Sequence, residues 1–135
     1  MRSLRSILAL AVLLAFAACA KDNSLSEFRT TDDLCIMIKG YTTFRYSPLT
    51  CQKGYNPSQR EFRVHTDNMS DFYTVRLDRI PAGTGQTVYG NVRWTTGNNI
   101  HSKKNVPFEV IRLEGNRIWL WSSKNGIAAV VDILE

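Results

Sequence analysis

The sequence contains little of the chemistry that enzymes and metal sites require. It has two histidines, His65 and His101, and three cysteines in 135 residues. No two cysteines form a CxxC pair, and no HExxH, GxSxG or glycine-rich phosphate-binding motif occurs. We therefore predict no catalytic residues, no metal site and no cofactor, and we expect that the chain is not an enzyme.

The excess of positive charge is modest. Lys and Arg number 17 against 12 Asp and Glu, which gives a formal net charge of +5. The basic residues are scattered, and Arg2 and Arg5 lie at the extreme N-terminus. This balance does not indicate a nucleic-acid partner, although it permits weak attraction to anionic surfaces.

An uninterrupted apolar run follows Arg2 and Arg5 and covers residues 7–18. The run is shorter than the ~20 apolar residues that a membrane-spanning helix needs. A positive start, a short apolar stretch and a small-residue end are typical of a secretory signal peptide. We predict that residues 1–18 are this signal peptide. The remaining chain is long enough for a single domain.

The end of the leader, Phe16-Ala17-Ala18-Cys19, resembles a bacterial lipobox, in which a cysteine directly follows small residues. The usual motif has Leu where this chain has Phe16. The resemblance implies that Cys19 becomes the mature N-terminus and carries lipid, including palmitate. Such a lipid would anchor the protein in the cell envelope, at the outer membrane or the periplasmic face of a membrane. The alternative is ordinary cleavage at Ala18 or Ala20, which would leave the protein without an anchor.

Assigning Cys19 to lipid leaves Cys35 and Cys51 as an even pair in an oxidising compartment. We predict a disulfide between these two residues, which would stabilise the domain by roughly 3 kcal/mol. The alternative is two free, buried thiols.

Residues 19–30 are polar and without periodicity, so we predict a lipidated cysteine followed by a short tether, with a single β-rich domain over residues 31–135. Thr31 and two aspartates precede an apolar segment that ends at Lys39 and Gly40. This order favours a short helix over residues 31–39, because it matches the caps and charges of helix ends. The apolar run Ile36-Met37-Ile38 leaves a strand as the alternative.

Two segments are candidates for binding loops. Residues 41–57 hold several Pro and Gly together with the aromatic residues Tyr41, Phe44, Tyr46 and Tyr55. Residues 95–105 form a polar segment that contains His101, Lys103 and Lys104. Exposed aromatic and basic loops suit a binding surface. The alternatives are aromatic rings that cover the core and a simple solvated connection.

From residue 60 onward, apolar and polar residues alternate with a period of two, which is typical of half-buried strands. Gly115-Asn116 and Asn125-Gly126 separate the last three strands, and both pairs are strong hairpin signals. We predict a C-terminal three-stranded meander whose middle strand, residues 117–121, is central. Six to seven antiparallel strands, with one short N-terminal helix, suggest a small barrel or sandwich.

These features predict a small envelope lipoprotein with a non-catalytic binding or structural role at the cell surface or in the periplasm. Its partner would be an envelope protein or a wall component. Residues 119–126, Trp-Leu-Trp-Ser-Ser-Lys-Asn-Gly, are also loosely similar to the C-terminal tryptophan and turn of small periplasmic lysozyme inhibitors. That resemblance implies an alternative function, the inhibition of an enzyme such as lysozyme.

Overall fold

The computed structural model describes residues 25–133. The predicted signal peptide, Cys19 and the first part of the tether lie outside this range. The chain divides into two compact units, Met1–Thr31 and Asp32–Glu135. In the first unit, residues 25–30 are helical rather than irregular. The Thr30 hydroxyl lies 3.1 Å from the Ser26 and Glu27 carbonyl oxygens and donates a shared hydrogen bond to them. It thereby provides a partner for carbonyl groups at the end of this short helix.

The second unit is one curled antiparallel sheet of nine strands. The mainly β class is confirmed, and the sheet has more strands than the predicted six to seven. The strands are β1 (Cys35–Ile38), β2 (Tyr41–Arg45), β3 (Cys51–Asn56), β4 (Glu61–Thr66), β5 (Phe72–Leu77), β6 (Thr87–Thr96), β7 (Asn99–Glu114), β8 (Arg117–Ser122) and β9 (Ile127–Asp132). They follow the order β2-β1-β9-β8-β7-β6-β5-β4-β3.

The sheet curls into a half-barrel, so that strands far apart in the sheet meet across its concave face. The Tyr73 hydroxyl on β5 donates a hydrogen bond of 2.8 Å to the Val130 carbonyl on β9. The Phe44 ring on β2 packs edge-on against Tyr73, with centroids 5.5 Å apart. Lys53 on β3 pairs with Asp132 on β9 at 3.0 Å. These contacts join the two ends of the sheet through side chains.

The predicted alternation and meander are confirmed. Along β4, β5 and β6 as far as Trp94 the buried residues occupy every second position, and Thr95 is buried as well. Strand β8 lies between β7 and β9, and Ile118, Trp119 and Leu120 are all buried. All six residues of β9 are buried as well. Burial of both faces explains why these two strands read as continuous apolar runs.

The helix predicted over residues 31–39 is wrong, because this segment contains strand β1. Ile36 pairs with Phe44 on one side and with Ala129 on the other. Lys39 and Gly40 have φ values of 54° and 87°, so they form the tight turn into β2 rather than a helix end. Tertiary pairing on both sides of β1 overrides the local resemblance to helix caps.

The two predicted loops are also largely strand. Residues 41–57 contain β2 and β3, whose Tyr and Thr residues suit a pleated strand. Residues 95–105 contain the end of β6 and the start of β7, joined by a two-residue turn at Gly97 and Asn98. Gly97 has a φ of 57°, as such tight hairpin turns require.

The predicted Cys35–Cys51 disulfide is not present, since both residues are buried free thiols. Cys35 belongs to β1 and Cys51 to β3, which is the opposite edge of the sheet from β2. Burial raises the pKa of the Cys35 thiol to about 11, while the nearby Arg45 has a smaller opposite effect. The thiol therefore stays protonated and behaves as a small apolar core group.

Membrane-spanning helices are not found among residues 25–133, since no helix there has the length and apolar character that crossing a bilayer demands.

Candidate functional site

A cleft of about 800 Å³ opens between the edge strand β2 and the turns that follow β4 and β6. We call it the edge cleft. Its lining consists of Thr43, Phe44, Arg45, Met69, Ser70, Asp71, Phe72, Thr95, Thr96, Gly97, Asn98 and Ile100. The cleft thus borders a strand that has no strand neighbour on its outer side within the described part of the chain.

The edge cleft combines a buried floor with an exposed apolar rim. Phe44 and Thr95 are 7% and 4% exposed and form part of the floor. Met69 and Ile100, in contrast, are 64% and 60% exposed. When a partner covers large apolar side chains that are this exposed, apolar surface is removed from water, and this favours binding. The rim is therefore the part of the cleft best suited to an apolar ligand group.

The turn that carries Met69 is rigidly built. The Asn68 side-chain oxygen accepts hydrogen bonds from the Thr66 hydroxyl at 2.7 Å and from the Ser70 backbone N–H at 3.1 Å. Met69 itself has a φ of 62°, in the left-handed region. Because asparagine oxygens commonly fix such turns, this network holds the Met69 position at the mouth of the cleft.

The polar groups of the cleft serve structure. The Thr95 hydroxyl donates to Asp71 at 3.0 Å and accepts from the Phe72 backbone N–H at 3.1 Å. Arg45 is paired with Asp33. Asp71 and Arg45 thus have partners within the protein, Thr95 and Asp33.

A second surface lies on the convex face of β4 to β7. We call it the basic face and define it by Arg63, Arg76, Arg93, Lys103 and Lys104, all of them exposed. Four of these residues line a depression of about 340 Å³. The complete lining is Glu61, Thr74, Arg76, Asn91, Val92, Arg93, Ser102, Lys103 and Lys104.

Strand register brings these residues together. Thr74 on β5 lies opposite Arg63 on β4 and opposite Arg93 on β6. Arg93 in turn lies opposite Ser102 on β7. Because neighbouring strands are only ~4.8 Å apart, side chains at matched positions on one face are neighbours. Residues distant in sequence therefore form a continuous row of basic and hydroxyl groups.

A β-bulge in the pairing of β6 with β7 lies next to Lys103 and Lys104 of the basic face. The β6–β7 register shifts between Gly90 and Val92, which leaves an extra residue on β7. Asn105 has a φ of 54° there, and its backbone N–H donates to the Asn91 side chain at 3.0 Å. Such a bulge changes the direction of the neighbouring side chains. It sets the positions of Lys103 and Lys104 beside the depression.

The predicted aromatic residues do not form one surface. Tyr41 is 77% exposed, whereas Phe44 is buried against Tyr73. The Lys53 Nζ atom lies above the Tyr46 ring, 5.6 Å from the ring centroid. Tyr55 is half-buried on β3. Only Phe44 reaches the edge cleft, as part of its floor.

The predicted polar loop residues separate in a similar way. The His101 ring stacks on Trp94 with centroids 5.4 Å apart and shares a hydrogen bond of 2.6 Å with the Thr96 hydroxyl. Lys103 and Lys104, however, join the depression of the basic face. The sequence does not single out their arginine neighbours as site residues, although each occupies a polar position in an alternating strand.

Trp119, in the stretch similar to lysozyme inhibitors, is only 1% exposed. The Arg112 guanidinium lies 3.9 Å from the centroid of its ring. Arg112 also pairs with Asp32 and Glu114, each at 2.9 Å. This tryptophan is thus a packed core residue with a cation above it.

Cys19, the predicted lipidation site, lies outside the described residues. Among residues 25–133, no three His, Cys, Asp or Glu side chains come together as metal ligands would. No significant match to this chain was found among protein-family models, curated proteins or solved structures.

Proposed function

We propose that the chain is a small bacterial lipoprotein, held in the cell envelope by lipid on Cys19, whose β domain has a non-catalytic binding role. The lipobox-like end of the leader supports the anchor. The observation that carries the binding role is the edge cleft, where the exposed Met69 and Ile100 stand beside an unpaired strand edge. The partner is an envelope protein.

An extended segment of that partner suits the edge cleft for two reasons. Strand β2 is the last strand of the sheet on its side, and no strand of the described residues pairs with its outer edge, which is where a partner strand would add. The Met69 and Ile100 side chains offer apolar contacts next to that edge. Backbone hydrogen bonds would then supply affinity, and the rim would select apolar side chains of the partner.

The anchor is tested by the intact mass of the protein isolated from membranes. We expect a chain that begins at Cys19 and carries acyl groups. Cys19→Ser should abolish the acylation and release the protein from the membrane fraction. An unmodified mass that begins at Cys19 or Lys21 would overturn the anchor, and the protein would be a diffusible factor.

The binding role is tested by placing a photo-crosslinking amino acid at Ile100 and at Met69 in the living cell. We expect a discrete adduct with the same envelope protein from both positions. Ile80 is a matched control, because it is also an isoleucine and is 45% exposed outside the cleft lining. Equal adducts from Ile80, or none from the cleft positions, would contradict the proposal.

Inhibition of lysozyme remains the alternative function, and the same purified protein tests it. Loss of lysozyme activity at equimolar protein would favour it. Unchanged lysozyme activity would leave the binding role as the one that the cleft supports.

A further inference from the structure

We propose that the basic face binds the phosphate groups of a linear polyol-phosphate polymer of the cell envelope. The choice of an envelope polymer rests on the proposed function, whereas the phosphate chemistry rests on the site itself. The site occupies the convex face of β4 to β7 and shares no lining residue with the edge cleft.

The composition of the depression matches a phosphate group. Arg76 and Arg93 offer planar guanidinium donors, which bind phosphate oxygens in pairs, and Lys104 adds a point charge. Thr74, Asn91 and Ser102 stand among these cations, and their hydroxyl and amide groups can donate to further oxygens. A phosphate group has several acceptor oxygens, so it can use this mixed set of donors.

No cation of the basic face forms an ion pair with a carboxylate in the described part of the chain. The ion pairs found among residues 25–133 involve Arg45, Lys53, Arg112 and Arg117, and these pair with carboxylates elsewhere on the sheet. None of the five cations of the basic face belongs to that set. The Arg93 guanidinium instead lies 5.5 Å from the centroid of the Phe72 ring, which supports it without cancelling its charge.

Glu61 is the acidic residue in the lining of the depression, and it lies opposite Arg76 in the strand register. Its carboxylate repels an incoming anion. This residue provides a test in which removing a charge should strengthen binding rather than weaken it.

A polymer fits better than a single ion because the cations form a row. Arg63 on β4 extends the row beyond the depression, and Lys103 and Lys104 continue it on β7. One phosphate can lie in the depression, and adjacent phosphates of the same chain can contact the ends of the row. Linked contacts of this kind raise the overall affinity without requiring a deep pocket.

The experiment measures binding of fluorescent poly(glycerol phosphate) to the full chain in neutral detergent by fluorescence polarisation. We expect Arg93→Gln and Lys104→Gln each to weaken binding about tenfold, as loss of a charge-assisted hydrogen bond does. Glu61→Gln should tighten binding severalfold. Lys124→Gln is the matched control, because Lys124 is an exposed lysine outside the lining, and it should change little.

Three results would overturn the proposal. If Lys124→Gln weakens binding as much as Lys104→Gln, the attraction reflects net charge alone. If polyglutamate of equal charge binds as tightly and responds to the same variants, the site does not select phosphate. If phosphatidylglycerol vesicles bind while the polymer does not, the basic face recognises a lipid surface instead. Failure to find Cys19 acylation or cleft adducts would affect the proposed function without changing these binding data.

Discussion

The Tyr73 hydroxyl donates a hydrogen bond of 2.8 Å to the Val130 carbonyl and so joins β5 to β9 across the concave face of the sheet. Tyr73 is fully buried, and burial raises the pKa of its hydroxyl well above the usual value. The hydroxyl therefore remains a neutral donor, and the bond does not depend on pH in the ordinary range.

Tyr73→Phe should lower the free energy of unfolding by about 1 to 2 kcal/mol, because the Val130 carbonyl would be left buried without this donor. Urea denaturation measures the change. Tyr89→Phe provides the control, since Tyr89 is 49% exposed and its hydroxyl reaches water. A loss no larger than that of the control would mean that the hydrogen bond adds nothing to stability.

Asp132→Asn should reduce stability at neutral pH by about 2 kcal/mol. The Asp132 side chain is 6% exposed and binds Arg117 at 2.7 Å and Lys53 at 3.0 Å. Burial by itself raises the pKa of Asp132, but hydrogen bonds from Arg117 and Lys53 outweigh it and lower the pKa overall.

Since the pKa of Asp132 is lower in the folded state, its contribution is present above the unfolded pKa and is lost as pH falls through the folded one. The stability difference between wild type and Asp132→Asn should therefore shrink at acidic pH. Denaturation at neutral and acidic pH measures this difference. Asp33→Asn, at a carboxylate whose side chain is 54% exposed, should cost far less. A difference that is independent of pH would contradict the assigned role.

Gly90→Ala should destabilise the domain by about 1 to 3 kcal/mol through overpacking. A Cβ atom at Gly90 would lie 3.0 Å from Phe108 Cε2 and 3.4 Å from the Arg76 carbonyl oxygen. Gly83→Ala is the matched control, since no atom lies within 4 Å of the added carbon. Thermal unfolding of both variants would show the contrast, and equal melting temperatures would refute the close approach.

Cys35 and Cys51 should both be alkylated under denaturing conditions without any reductant, as expected for free thiols. In the folded protein at pH 8, Cys35 should react very slowly, because a pKa of about 11 leaves about one thiolate in a thousand. Mass spectrometry counts the adducts. Alkylation that appears only after reduction would establish the disulfide that the structure lacks.

The strands best predicted from the sequence are those with a clear alternation of apolar and polar residues or with hairpin turns between them. The alternation in β4 to β6 and the hairpin turns at Gly115 and Gly126 contain enough local information for a correct prediction. Strand β1 is short and lacks such alternation, and it pairs with β2 beside it and with β9 at the far end of the chain. Its flanking residues resemble helix caps, and the apolar run Ile36-Met37-Ile38 is too short a strand signal to outweigh them.

The candidate sites illustrate the same limit. Arg63, Arg76 and Arg93 are each visible in the sequence as polar residues of alternating strands, but their grouping depends on three registers and one bulge. The edge cleft depends on the curl of the sheet, which brings Phe44 beside Phe72 and Ile100. Neither relationship can be obtained from the spacing of residues along the chain.

The pairing of β1 with β9 joins the two ends of the domain sequence. Each strand from β3 to β9 can pair with the strand before or after it, as local contacts form first in most small domains. The β1–β2 hairpin is also local, but it joins the rest of the sheet only where β1 pairs with β9, for example at Ile36 and Ala129. A chain cut short before β9 would therefore leave the β1–β2 hairpin without its strand partner, and the edge cleft would lose the side that β2 forms.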